Sequence, residues 1–283
     1  MDGGQRRIAL LLEYDGAAFA GSQWQPNART VQGVLEAALL RFTGEGAGEQ
    51  VGAGRRIAFA GRTDSGVHAS GQVAALSTGT QHSPATCRDA LNHFLPEDVV
   101  VRAAAEVAVT FDPRREAEAR RYRYRIEDGR GRSPLTRRIA WQVERRLDVS
   151  AMAAAVALLP RVEQDWAAFG GPVPAGTSTV RRLLDARVQR GVERGVERDG
   201  EQDGAHAVTV ELEATGFLPH QVRRTLGALE RVGSGRLDPH EFAALVNGSP
   251  ASAGPAAPPQ GLTLIAVRYP PAIVDWEPMS GER

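Results

Sequence analysis

Lysine does not occur anywhere in this 283-residue chain, so all 34 residues counted as Lys or Arg are arginines. That absence removes whole reaction classes. Schiff-base chemistry needs an amine nucleophile, a P-loop needs its lysine on the phosphates, and a protein kinase needs one on its third strand. Cysteine is nearly absent too: Cys87 alone cannot form an internal disulfide, carry an iron–sulfur cluster or build a cysteine-rich zinc site. The histidines are scattered, with no H-x-x-x-H or H-E-x-x-H pair, so no metal site is expected. No run approaches the ~18 uninterrupted apolar residues of a membrane span. The start, Met1-Asp2-Gly3-Gly4-Gln5-Arg6, lacks the apolar stretch of a signal peptide. The expectation is a cytoplasmic protein with no membrane segment.

Net charge is absent as well, since 34 acidic residues balance the arginines. A nucleic-acid binder usually has a basic domain, but the distribution of charge matters more than its sum. Between residues 114 and 146 lie Arg114, Arg115, Arg120, Arg121, Arg123, Arg125, Arg130, Arg132, Arg137, Arg138, Arg145 and Arg146, against far fewer acids. Two readings of this strip stay open: a phosphate-binding surface, or a solvated face in an arginine-rich chain.

Hydrophobic periodicity divides the chain into two halves of similar plan. An apolar run at 6–14 reads as a strand, and Thr30 caps a helix with Val31, Val34, Leu35, Ala38 and Leu39 at helical spacing. Strands at 55–60 and 71–77, a helix opened by Ser83-Pro84 and a strand at 99–108 complete a β-α-β-β-α-β order. The second half begins with a strand at 118–127, where alternation sets Arg121, Arg123 and Arg125 on one face and Tyr122, Tyr124 and Ile126 on the other. An Ala-rich helix from Ser150 to Leu159 follows, then strands at 179–189 and 205–214. A helix with Leu218, Val222, Leu226 and Leu229 on one stripe comes next, with a short helix opened by Asp238-Pro239 with Glu241 as capping-box partner. A strand at Leu262 to Tyr269 ends the half. The expected fold is α+β: two ferredoxin-like halves, 1–110 and 111–270, forming a mainly antiparallel sheet around a central cleft, with a tail at 271–283. Gly191 to Gly204 is polar, duplicated and glycine-punctuated, and reads as a mobile loop; Gly248 to Pro259 reads as a linker.

The chemistry concentrates in Ala58-Phe59-Ala60-Gly61-Arg62-Thr63-Asp64-Ser65-Gly66-Val67-His68-Ala69. Two glycines bracket a turn holding one acid and one base, between apolar segments that would anchor Asp64 at the rim of a sheet. A carboxylate so placed suits catalysis; an Asx turn cap is the alternative that the pattern alone leaves open.

This stretch, G-R-T-D-S-G-V-H-A followed by Gly71-Gln72-Val73, resembles the central motif of the tRNA pseudouridine synthase A family. Further matches keep the family's order: Tyr14-Asp15-Gly16, Phe19, Gly21 and Gln23; Val31-Gln32; Asn92 with Leu95-Pro96; and Ala119 to Tyr124. Val222-Arg223 with Gly227, Gly261-Leu262, Ala266-Val267 and Tyr269-Pro270 complete the series. The resemblance implies a pseudouridine synthase fold and a homodimeric isomerase that needs no cofactor. It would convert uridine to pseudouridine in the anticodon stem-loop of tRNA, at nucleotides 38 to 40. It also implies Asp64 as the nucleophile, with Arg62 or Arg223 favouring its charged form, and Tyr122 packed against the target base. Arg62, Tyr122 and Arg223 are therefore the substrate-binding candidates, although pattern alone reads Tyr122 and Tyr124 as core and Arg224 as solvated.

Three departures from the family's pattern stand out. Gly21 is followed by Ser22, Gln23 and Trp24, where Gly-Trp-Gln is usual; Pro113 precedes Arg114 in place of a small residue; and 191–204 reads as an insertion. Two other functions are conceivable. Paired ferredoxin-like halves would permit a non-catalytic RNA-binding module, but the RNP1 aromatic pattern is missing. A hydrolase using Asp64 lacks the usual D-x-D or metal-ligating acids.

Overall fold

The structure is a computed structural model that describes residues 6–44, 57–129, 131–191, 207–271 and 273–276. In chain order its elements are β1 (Arg6–Tyr14), α1 (Val31–Thr43), β2 (Ala58–Phe59), β3 (His68–Thr78), α2 (Pro84–Phe94), β4 (Val99–Val107) and β5 (Ala119–Asp128). There follow β6 (Trp141–Val143), α3 (Val149–Ala157), β7 (Glu163–Asp165), β8 (Val180–Arg190), β9 (Ala207–Ala214), α4 (Gln221–Gly233), α5 (Pro239–Ala244) and β10 (Leu262–Arg268). The protein is thus a mixed α+β chain. It forms two compact units, Met1–Glu118 with Leu264–Arg283, and Ala119–Thr263.

In the first unit the strand order is β4-β1-β3-β10, with β2 also on β3. β1 runs antiparallel to both neighbours, Ala9 standing opposite Ala75 and Ala105. The run Ile8 to Leu12 is apolar at every position because both faces of the sheet are covered. Ile8, Leu10 and Leu12 are fully buried on one side. On the other, Ala9, Ala75, Val107 and Phe111 form a cluster against which Tyr269, Ile273, Val274 and Trp276 pack. α1 starts where Thr30 Oγ1 accepts the Gly33 N–H (3.1 Å) and stops at Gly44, φ +67°. α2 starts at Ser83-Pro84, packs on α1 and lies along β4, where the Asn92 amide bonds both the N–H and the C=O of Val101 (2.8 and 2.9 Å).

The sequence reading placed the last strand in the second half and a tail from residue 271. The unit boundaries fall instead at Glu118/Ala119 and at Leu264, because β10 lies against β3. A Cβ at Gly71 would stand 2.2 Å from the Ile265 carbonyl oxygen, so only a bare backbone permits this approach.

In the second unit the order is β5-β9-β8-β7, antiparallel throughout, with β6 added in parallel to β5. β5 alternates as read, burying Tyr122, Tyr124 and Ile126. α3, α4 and α5 pack on one another. Trp166, Phe169 and Phe242 form an aromatic chain with centroids 5.9 and 6.0 Å apart, and Trp166 Nε1 donates to Arg181 O (3.1 Å). The capping box of α5 is present as expected.

Elsewhere the expectation shifts. Asp148, not Ser150, caps α3, its carboxylate accepting the Ala151 N–H at 2.9 Å. Leu218 precedes α4, which buries ten of its residues and not a single stripe. β6 and β7 are too short to show a period and were not foreseen. Arg130, strand positions 55–56 and 205–206, and all but Gly191 of the expected 191–204 loop lie outside the described residues. Among those described, no helix is long and apolar enough to cross a membrane.

Candidate active site

Asp64 occupies the connection between β2 and β3 in the first unit, and the segment that follows β1 binds this connection at nearly every step. Thr63 N–H donates to Ser22 Oγ (2.9 Å), and Ser22 N–H donates to Thr63 O (3.1 Å). Ser65 Oγ–H and Gly66 N–H both donate to Phe19 O (3.2 and 3.3 Å). The Tyr14 hydroxyl meets Thr63 Oγ1 at 2.8 Å, and Gln72 Nε2 donates to Gly61 O at 2.7 Å. A turn closes with Val67 N–H on Asp64 O (3.1 Å) and Gly66 at φ +78°. Gly61, read as its counterpart, keeps an ordinary φ and contributes its carbonyl.

The anchoring segment is itself fixed. Arg29 forms a two-pronged pair with Asp98 (2.8 Å each) and lays its guanidinium over the Phe19 ring, 4.0 Å from its centre. Asp15 N–H donates to Asp98 O, and Gly16 N–H donates to His68 Nδ1 (3.0 and 3.1 Å). Gly21 adopts φ +115°, and a Cβ there would stand 3.0 Å from Thr63 O and 3.6 Å from the Asp64 carbonyl carbon.

The result is a loop with a fixed inner side, Thr63 and Val67 buried, and an open side. Asp64 is half-buried there, with the exposed Arg62 two residues before it. Burial pushes the Tyr14 phenol up to about 12, only partly offset by its bonds to Thr63 and Gln72, so it stays neutral at ordinary pH. Among the described residues no group of three or more His, Cys, Asp or Glu could hold a metal ion.

Tyr122 and Arg223 belong to the second unit. Tyr122 is buried on β5, its ring meeting Phe217 edge-on (5.3 Å, 87°). Arg223, in the first turn of α4, is half-buried. Its Nε donates to Ala257 O and its carbonyl accepts the Ala257 N–H, both at 2.8 Å. Arg224, read from the sequence as solvated, instead donates from Nη1 to Ala251 O (2.7 Å). The two arginines and Gly227, where a Cβ would stand 2.2 Å from Pro255 O, dock the 251–257 stretch on α4. Tyr124, beside it, donates to Pro258 O (2.8 Å); burial pushes its phenol up, with the Arg223 charge pulling the other way.

The arginine strip separates into two kinds of residue. On β5, Arg121 pairs with Glu213 (2.5 Å), Arg123 with Glu211 (2.8 Å) and Arg125 with Glu127 (3.1 Å), and Arg120 donates to Thr215 O. Arg132, Arg137, Arg138, Arg145 and Arg146 are exposed, although Arg146 stands 3.7 Å from the buried Asp128.

Comparison with known proteins shows the family to which the chain belongs. Residues 11–114 and 163–270 match the family described as tRNA pseudouridine synthase. The tRNA pseudouridine synthase A of Roseiflexus castenholzii is 46% identical over 265 residues, 94% of this chain and 91% of that protein. Those of Chloroflexus aurantiacus (43%; 96% and 91%) and Geotalea uraniireducens (38%; 93% and 100%) are similar over the same extent. The chain belongs to the tRNA pseudouridine synthase family. It is an isomerase that converts uridine to pseudouridine, which sets aside the non-catalytic RNA module and the hydrolase. The family residues Tyr14, Gly16, Phe19 and Gly21 are the ones found gripping the Asp64 loop or its anchor. The sequence reading had missed Ser22 and Thr63 as partners. Their only sequence signal was the departure from Gly-Trp-Gln: the buried Ser22 bonds both backbone groups of Thr63, while Trp24 is 40% exposed.

Proposed function

We propose that this protein isomerises uridines in the anticodon stem-loop of tRNA, at nucleotides 38 to 40, without a cofactor. The glycosidic C1′–N1 bond breaks, uracil turns, and a C1′–C5 bond forms; C5 loses a proton and N1 gains one. Atoms and electrons balance, so the chain needs only an anionic partner at C1′, a surface for the extruded base and a grip on the backbone. We assign the first role to Asp64 and substrate binding to Arg62, Tyr122 and Arg223.

The observation that carries the assignment is the fixing of the Asp64 loop by two reciprocal bonds with Ser22 and a buried bond to Tyr14. A carboxylate that merely capped a turn would not require such a scaffold, whereas one that must meet a reacting carbon would.

The finer architecture follows the same reading. A β4-β1-β3-β2 order with two helices supports a ferredoxin-like first half, and we infer a homodimer as the working unit. From a tRNA substrate we infer a cytoplasmic enzyme. The test is Asp64→Asn: product in a tritium-release assay should vanish while tRNA affinity stays within a few-fold. More than trace turnover by this variant would refute the assignment.

A further inference from the structure

Tyr14, Thr63 and Gln72 form a buried hydrogen-bonded cluster. All three are buried, at 3%, 6% and 0% exposure. The Gln72 amide must point its nitrogen at Gly61 O, because the reverse orientation would set two carbonyl oxygens 2.7 Å apart. The second proton of that nitrogen faces the Tyr14 oxygen at 3.4 Å, a long contact that the tyrosine oxygen can only accept. The Tyr14 hydroxyl also meets Thr63 Oγ1 at 2.8 Å, a bond in which either oxygen can donate. Thr63 is the residue immediately before Asp64 in the sequence.

We propose that Tyr14 and Thr63 are positioning residues for the isomerisation, setting the stance of the Asp64 loop through this buried cluster. The proposal rests on Asp64 as the reacting carboxylate. Three separate stretches of backbone, the end of β1, the Asp64 loop and β3, meet at these three side chains, so a shift in any of them is transmitted to residue 64. The Gln72 carbonyl oxygen is buried without a hydrogen-bond partner. The Tyr14 phenol, kept protonated by burial, leaves the cluster uncharged through neutral and mildly basic pH.

A misplaced reacting group costs rate, not binding. Tyr14→Phe and Thr63→Val should therefore each lower kcat about ten- to a hundredfold, with KM for tRNA within about twofold of wild type. Thr63→Ser, which restores the hydroxyl, should recover most of the loss. The double variant should be no slower than the worse single one, since both break the same cluster. Circular dichroism and the unfolding midpoint establish that each variant is folded, and the Val/Ser pair carries the test if Tyr14→Phe fails to fold. Unchanged kcat in folded Thr63→Val, or a loss that Thr63→Ser does not recover, would overturn the proposal. Asp64→Asn separates the two readings. If Asp64→Asn is inactive while Thr63→Val has normal kcat, only the positioning role fails; if Asp64→Asn is active, the assignment of Asp64 fails first.

Discussion

Ser22 and Thr63, far apart in sequence, hold each other by two hydrogen bonds: the Thr63 N–H to Ser22 Oγ at 2.9 Å and the Ser22 N–H to Thr63 O at 3.1 Å. Such a pair acts like one rung of a sheet between two loops. It ties both backbone groups of the residue before Asp64, a constraint that loop residues rarely have.

Gly21 makes that rung possible, and Gly21→Ala should show its importance. A Cβ would strain a backbone at φ +115° and press on the Thr63 carbonyl from 3.0 Å. We expect a stability loss of about 1–3 kcal/mol and a fall in kcat larger than that in the folded fraction. Denaturant titration and turnover on the same preparation measure both; a variant with wild-type kcat would show that the rung does not govern the loop.

The division within the arginine strip makes a second prediction. If exposed arginines hold phosphates, log affinity should fall with log salt, and replacing Arg132, Arg137 and Arg138 by Gln should flatten the slope by about 0.7–0.9 for each phosphate that is no longer neutralised. Replacing Arg121 and Arg123, already engaged by Glu213 and Glu211, should leave the slope nearly unchanged. Equal effects from the two sets would assign the surface to ordinary solvation.

How much of this was legible before the structure depends on whether a residue's partner is near in sequence. Helix starts at Thr30, Ser83 and Asp238 are local arrangements between a side chain and the next turn, and all three stand as read. The alternation of Arg and Tyr along β5 is equally local. By contrast, the Glu partners of Arg121 and Arg123 lie on β9, and the Ile265 carbonyl that Gly71 must accommodate lies on β10. No periodicity encodes such pairings. Asp64 could be singled out from its neighbours, but the scaffold that fixes it depends on bonds across many residues, and Arg224 was misplaced because the 251–257 stretch it binds reads as linker.

A third prediction concerns pH. The Tyr14 phenol, ordinarily near 10, is raised to about 12 in the folded protein by burial. A raised folded value means that the folded state keeps the proton longer than the unfolded chain does. Its contribution is therefore whole below pH 10 and disappears as pH climbs through 12. Two units correspond to about 3 kcal/mol. Between pH 9 and pH 12 the wild type should lose about that much more unfolding free energy than Tyr14→Phe, with Tyr124 a common background to both. Equal losses by chemical denaturation would show that the Tyr14 phenol is solvated.

The last prediction is that the active unit is a homodimer in which one tRNA touches both chains. The chain has no net charge, and Arg121 and Arg123 on β5 are paired with acids, so among the described residues the exposed arginines of 132–146 form one strip by which a single copy could grip a large polyanion. A two-fold pair would present two such strips to one substrate. Asp64 could then come from one chain and much of the backbone grip from the other. If so, an Asp64→Asn chain mixed with one carrying Arg132→Glu, Arg137→Glu and Arg138→Glu should regain activity that neither parent has, since some heterodimers hold an intact loop and an intact strip. Subunit exchange is checked with differently tagged chains, and mass by light scattering. A monomer at working concentration, or exchanged mixtures as inactive as their parents, would defeat the shared-substrate idea while leaving the assignment of Asp64 untouched.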